Sequence, residues 1–210
     1  GEALANGKIT INENNLNLIV DYNVPTEHKE ALSGNDLWTN ADSDPIEDML
    51  RWSQKLGTAP TKALTSQKVL MTLLRHPMIK NALGKGNSGI VTRQDLNAFM
   101  MELGLPQIAT YDETYRFQKA DGTYETKRYF PEKKFVMFGD SLLGETIYGP
   151  TAEEIRLTRD PSIEITMQDK VLAMVYEESV DPVGTWTKAV ATAIPSFPGA
   201  NEVFQAQPIA

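Results

Sequence analysis

Asp44-Pro45-Ile46-Glu47-Asp48-Met49-Leu50-Arg51-Trp52-Ser53-Gln54-Lys55-Leu56-Gly57 is followed, after a short break, by Ala63-Leu64-Thr65-Ser66. The first stretch begins like a helix. Asp44 with Glu47 three positions on has the form of a capping box, and Pro45 suits the first helical position. Ile46, Met49, Leu50, Ser53 and Leu56 then recur at helical spacing, and Gly57 predicts the stop. Ala63-Leu64-Thr65 is too short for a helix and reads as a buried strand. Ser66 caps a second helix that turns Val69, Leu70, Leu73 and Leu74 inward.

Working outward, Pro77 restarts this helix, which runs to about Leu83, and Gly84 to Gly89 is a loop between helices. Thr92, with Asp95 three positions on, caps a third helix carrying Leu96, Phe99, Met100 and Leu103, with Gly104 as its stop. Strand patterns follow. Gln107–Phe117 and Thr123–Phe130 flank Ala120-Asp121-Gly122, a hairpin turn signal. Lys134–Phe138, Glu145–Tyr148, Ile163–Met167, Val171–Tyr176, a long run from Val183 to Ile194 and a last one from Glu202 to Gln207 all read as strands. Toward the start, Lys8–Asn12 and Leu16–Tyr22 read as a strand pair, and the polar stretch 25–44 as a loop. Gly1 to Gly7 reads as the last turn of a helix, so the chain is expected to be the later part of a longer polypeptide. Helices and strands in mixed order give an α+β class.

Composition narrows the function. The chain has 210 residues, no cysteine and a net charge of -8 from 28 acidic and 20 basic residues. Disulfides, thiolate metal sites and a cysteine nucleophile are excluded. A nucleic-acid binder needs a basic face, and the balance here is acidic. No apolar run approaches the roughly 18 residues of a membrane helix.

Phe138-Gly139-Asp140-Ser141-Leu142 follows an apolar strand and resembles the nucleophile block of GDSL-type esterases. Such a serine needs a base, and the two histidines, His28 and His76, both lie upstream with no Asp-x-x-His block anywhere. Gly139 and Gly144, followed by Glu145-Thr146, nearly match a phosphate loop, but Glu145 stands where lysine is required. Gly84-Lys85-Gly86 follows a helix rather than a strand. His76 precedes Pro77 and reads as a capping or surface residue. The acidic run Asp36, Asp42, Asp44, Glu47, Asp48 lacks the spacing of a calcium loop. Trp52, Trp186 and the tyrosines read as packing or interface anchors. No catalytic, cofactor-binding or metal-binding residue is assigned and no cofactor is expected, which points to assembly or binding. A degenerate hydrolase using Ser141 and a tail module are the alternative readings.

Several stretches in one chain order resemble the major capsid proteins of tailed phages, the lambda-type protein E family with its HK97-like fold. They are Asn6-Gly7-Lys8-Ile9-Thr10-Ile11, Val20-Asp21-Tyr22, and Trp38 followed by Asp44-Pro45-Ile46-Glu47-Asp48. The series continues with Thr110-Tyr111-Asp112-Glu113-Thr114-Tyr115, the Asp121-Gly122 turn, Tyr129-Phe130-Pro131, Val136-Met137-Phe138-Gly139 and Tyr148-Gly149. It closes with Asp181-Pro182, Thr187 to Ala193 and Ile194-Pro195-Ser196-Phe197-Pro198-Gly199-Ala200. Two departures stand out: Asn23 replaces a usual glycine, and the Asp-Pro block is one or two residues out of register.

The resemblance implies an axial domain, a central sheet flanked by helices, over residues 41–161. It places parts of a β-rich peripheral domain in 1–40 and 162–197, and a final strand returning to the axial domain in 198–210. It implies a homo-oligomer, hexameric and pentameric in the full shell, with scaffolding and decoration proteins as further partners and the packaged DNA not bound specifically. The location implied is the virion capsid, reached through the host cytoplasm. The N-terminal arm, the extended loop and most of the spine helix of the family would be missing here. The chain alone is therefore expected to be monomeric or weakly associated in dilute solution. The Asp121-Gly122 hairpin carries more aromatic surface than a ribbon can bury on itself, so it is expected to contact neighbouring subunits. Its candidate contact residues are Tyr115, Phe117, Asp121, Gly122, Tyr124 and Tyr129.

Overall fold

The computed structural model describes residues 1–13, 16–86, 88–119, 121–157, 164–168, 170–178 and 183–210. Of the residues read above, Ala120, Ile163, Asp181 and Pro182 lie outside these. In chain order the elements are α1 (Glu2–Asn6), β1 (Lys8–Glu13), β2 (Leu16–Asp21), β3 (Lys29–Ala31), α2 (Pro45–Lys55), β4 (Lys62–Thr65), α3 (Gln67–Arg75) and α4 (Pro77–Ala82). They continue with α5 (Arg93–Glu102), β5 (Gln107–Thr110), β6 (Thr114–Gln118), β7 (Tyr124–Arg128), β8 (Phe135–Phe138) and β9 (Thr146–Gly149). The last are α6 (Ala152–Leu157), β10 (Glu164–Gln168), β11 (Val171–Glu178), β12 (Gly184–Val190), β13 (Thr192–Pro195) and β14 (Val203–Gln207). Contacts divide the chain into two units, Gly1–Leu143 with Phe197–Ala210, and Gly144–Ser196.

The larger unit is built on a five-stranded sheet of order β3-β14-β8-β4-β5. Alternation along its strands makes two cores. Phe135, Met137, Phe204, Ala206, Ala63 and Ile108 face the helices α2 to α5. Val136 and Val203 face the other way, toward Ala5, Val24, Phe130 and Phe197. The helices present the faces their periodicity gives, with Val69, Leu70 and Leu73 from α3 and Leu96 and Met100 from α5 fully buried. At the centre four rings pack together. Trp52 stacks on Trp38 with centroids 5.6 Å apart and on Phe204 at 5.4 Å, while Phe135 meets Trp38 edge-on at 5.2 Å. Each indole N–H has an acceptor: Trp38 donates to Asp48 at 2.9 Å and Trp52 to Glu30 at 3.1 Å.

The caps follow the sequence closely. Ser66 accepts the Val69 N–H at 3.2 Å, and Gly7 ends α1 in the left-handed region at φ 69°. Asp44 accepts from the N–H groups of Ile46 and Glu47, which is half of the expected capping box. Thr92 and Asp95 complete theirs: each side chain accepts the other's backbone N–H, at 3.1 and 3.0 Å. The Thr92 hydrogen bonds hold the Asp95 carboxyl below the usual aspartate range. A lowered native pKa contributes stability above the unfolded value and loses it as pH falls through the folded one. Losing the Thr92 cap in Thr92→Ala is expected to cost about 1 kcal/mol at neutral pH. Urea unfolding in acid should find the gap to the parent protein narrowed.

The two edges of this sheet are treated differently. β5 pairs only with β4, and the outward backbone of its residue Ile108 is met by Asn97 from α5. The Asn97 amide accepts the Ile108 N–H at 2.9 Å and donates to its carbonyl at 3.2 Å. This amide stands in for a neighbouring strand and closes the edge. At the other edge, β3 runs parallel to β14.

Three readings are corrected, and one unread element is added. The stretch 25–44 contains β3, a strand of the main sheet. Gln107–Thr110 belongs to that sheet rather than to the hairpin, because it pairs in parallel with Lys62–Thr65. The run Val183–Ile194 breaks at Ala191 into two strands with different partners. Ala152–Leu157 forms a helix that no pattern signalled.

The smaller unit holds an antiparallel sheet of order β10-β11-β12 and the antiparallel pair β9-β13. Along β11, Leu172 and Met174 are buried while Val171 and Val175 are exposed, the alternation of a sheet with one covered face.

Candidate subunit-contact surface

The hairpin β6–β7 is fixed at its base and open along its length. Thr114 pairs with Arg128 and Gln118 with Tyr124. At the turn Gly122 takes φ 82°, and Asp121 accepts both the N–H and the hydroxyl of Thr123 at 2.9 and 2.6 Å. These bonds keep the Asp121 carboxyl below its ordinary range. Asp112 secures the base, ion-paired with Arg128 through one oxygen and accepting the Gln67 N–H of α3 at 2.9 Å through the other. Tyr129 adds a backbone bond to Glu113 at 3.2 Å.

Register sorts the aromatic side chains. Tyr115, Phe117 and Tyr129 lie on one face, where Tyr115 and Tyr129 pack at 4.8 Å, Tyr111 lies 6.3 Å from Tyr129, and the Lys127 ammonium sits 4.6 Å over Phe117. Tyr124 lies on the opposite face under Arg116, at 4.6 Å. Tyr115, Tyr124 and Tyr129 are 37%, 59% and 45% exposed, whereas Phe130 is fully buried in the core and leaves the set of ribbon rings. In the smaller unit Tyr176 and Trp186, both exposed, face each other across β11–β12. Trp186 was legible as an anchor, but its partner needed the register.

The chemical decoys resolve into local structure. The Ser141 hydroxyl donates to the Glu202 carboxylate, an acceptor on the same exposed surface. His28 Nε2 lies 3.1 Å from the Lys55 carbonyl. His76 is buried, not at the surface, and caps α4: its Nδ1 accepts the Met78 N–H at 3.3 Å. Its other nitrogen therefore carries the proton and faces the Asn40 carbonyl at 2.9 Å and Ser43 Oγ at 3.2 Å, and Ser43 itself donates to Asn40. That arrangement leaves no free lone pair to take a serine proton. Glu145 is followed by the strand β9, not by a helix whose N-terminus could hold phosphate. Of the acidic run, Asp44 caps α2 and Asp48 takes the Trp38 and Arg51 donors. Among the described residues no group of three potential metal ligands converges, and no helix is long and apolar enough to cross a membrane.

The fold has solved counterparts. The chain is similar to a putative capsid protein of a prophage from E. coli CFT073, with a TM-score of 0.70 at 16% identity, covering 100% of this chain and 60% of that one. It is also similar to a phage-related protein from Bordetella bronchiseptica RB50, with a TM-score of 0.53 at 17% identity over 88% of this chain and 56% of that one. The chain thus spans about three-fifths of the length of these counterparts. No curated protein matches it. The family model of phage major capsid protein E matches residues 1–207, and the chain belongs to that family.

Proposed function

We propose that this chain is a structural subunit of an icosahedral phage or prophage shell, associating as hexamers and pentamers that enclose the genome. The observation that carries the reading is the family match over residues 1–207. The five-stranded sheet with α2 to α5 on one face supports an HK97-like axial domain for 41–143 of the 41–161 expected and for 198–210, with β3 extending that sheet to 29–31. Residues 1–40 and 162–197 otherwise supply peripheral-domain strands. The hairpin β6–β7 meets a neighbouring subunit through Tyr115, Phe117, Tyr124 and Tyr129, with Asp121 and Gly122 shaping the tip. Rings of such contacts close by heterologous association. Scaffolding and decoration proteins are further partners, the DNA is enclosed without specific contacts, and assembly takes place in the host cytoplasm before the shell becomes part of the virion.

Mass spectrometry of purified heads tests this. The chain should be their most abundant polypeptide; heads that contain it only in trace, or not at all, would overturn the reading. The role is structural rather than catalytic. In ester-hydrolysis assays the parent chain and Ser141→Ala are expected to give the same background rate, and activity lost in the variant would contradict this.

A further inference from the structure

Three lysines converge where no acid answers them. Lys8, Lys29 and Lys134 line one recess of about 310 Å³, together with Glu30, Ala31 and Gln205. None of the ion pairs among the described residues involves them. The acid in the lining and the one across from Lys8 both bond to other groups. Glu30 accepts from Arg51, Trp52 and Lys55, and Asp21, opposite Lys8 in the β1–β2 register, accepts the Asn23 N–H at 2.8 Å. Lys134 is half-buried, and burial, followed by the charge of Lys29, holds its ammonium below the usual lysine range. In a chain with 28 acidic and 20 basic residues, this cationic trio without an ion pair stands out as a place where an acidic partner is attracted.

The same recess borders an open strand edge. Ala31 is registered with Gln207, and Leu32 donates to the Gln207 carbonyl at 3.0 Å, so residues 30 and 32 turn their backbone toward β14 and residues 29 and 31 turn outward. The Lys29 N–H is taken by the Thr26 carbonyl. The Lys29 carbonyl and both backbone groups of Ala31 remain at the edge, in contrast to the far side of the sheet, which Asn97 closes.

We propose that this edge is the docking site of an extended, carboxylate-bearing segment from a second copy of the chain. The segment pairs with Lys29 and Ala31 through its backbone and sets its acids against Lys8, Lys29 and Lys134. A three-residue edge bearing lysine is too short to recruit strands indiscriminately, so charge does the selecting. Nucleic acid fits less well: a phosphate backbone would answer the lysines but would meet two outward carbonyls, and the net charge of -8 repels it. The inference rests on the shell reading, which brings copies together at high local concentration.

The test uses particles of the whole polypeptide, including any segments beyond this chain, assembled from a mixture of normal-isotope and heavy-nitrogen copies and treated with a water-soluble carbodiimide. That reagent joins a lysine amine to a touching carboxylate as an amide, with loss of water. Mixed-isotope peptides linking Lys29 or Lys134 to an Asp or Glu are expected. Lys29→Glu, at an exposed position, should raise the concentration for half-assembly by about tenfold while leaving the melting curve in place. Intact particles in which these lysines link only within one copy, or stay unlinked, overturn the inference and spare the shell reading. Protection of the lysines by duplex DNA instead also overturns it. If no particles form, both fall.

Discussion

Replacing Trp52 by alanine is expected to lower the unfolding free energy by about 3–5 kcal/mol, read as a large drop in the urea midpoint. Trp52 is fully buried, and its ring stacks between Trp38 and Phe204, so its loss opens a cavity between α2 and the sheet rather than at a margin. Glu30 keeps Arg51 and Lys55 as partners, so little of the cost comes from an orphaned carboxylate. Domains of this kind are stable by roughly 5–15 kcal/mol, so the variant approaches the threshold of folding. Trp186→Ala is the control. That ring is half exposed, and its removal is expected to change stability by about 0.5 kcal/mol or less. Equal effects from the two tryptophans would refute the ring cluster as the centre of the core.

The second large effect is on assembly. Tyr115→Ser with Tyr129→Ser removes both exposed rings from one face of the hairpin and leaves the Asp112–Arg128 base untouched. Buried interface tyrosines are worth about 2 kcal/mol or more each when they are hot spots. That loss recurs at every contact in a shell, so the double variant is expected to melt like the parent and to form no particles under electron microscopy. Tyr124→Ser tests the opposite face alone. Particles of normal number and shape from all three substitutions would show that the hairpin is not a subunit contact.

The local signals in the sequence carried well. Caps at Ser66 and Thr92, the stop at Gly7 and the apolar run Phe135–Phe138 each depend on residues within a turn or two of one another, and each is found in the structure. What escaped depends on distant partners. Lys29-Glu30-Ala31 has no strand pattern and becomes a strand because β14 lies beside it. Gln107–Thr110 reads as part of the hairpin until Lys62–Thr65 claims it. Trp52 was visible as an anchor, but its stacking on Trp38 was not. The lysine recess is built from four segments far apart in the chain, so no spacing could announce it.

The position of β14 sets a timetable for synthesis. It comes last in sequence among the described strands, yet it lies between β3 and β8. At roughly 5–20 residues per second, a ribosome needs roughly 3–13 s to cover the about 65 positions from Phe138 to Val203. Until then β3 has no neighbour, Trp52 waits for the ring of Phe204, and Phe135 waits for Ala206 beside it. A polypeptide truncated by stalled translation anywhere before β14 cannot complete this sheet. It exposes its aromatic centre to chaperones and proteases instead.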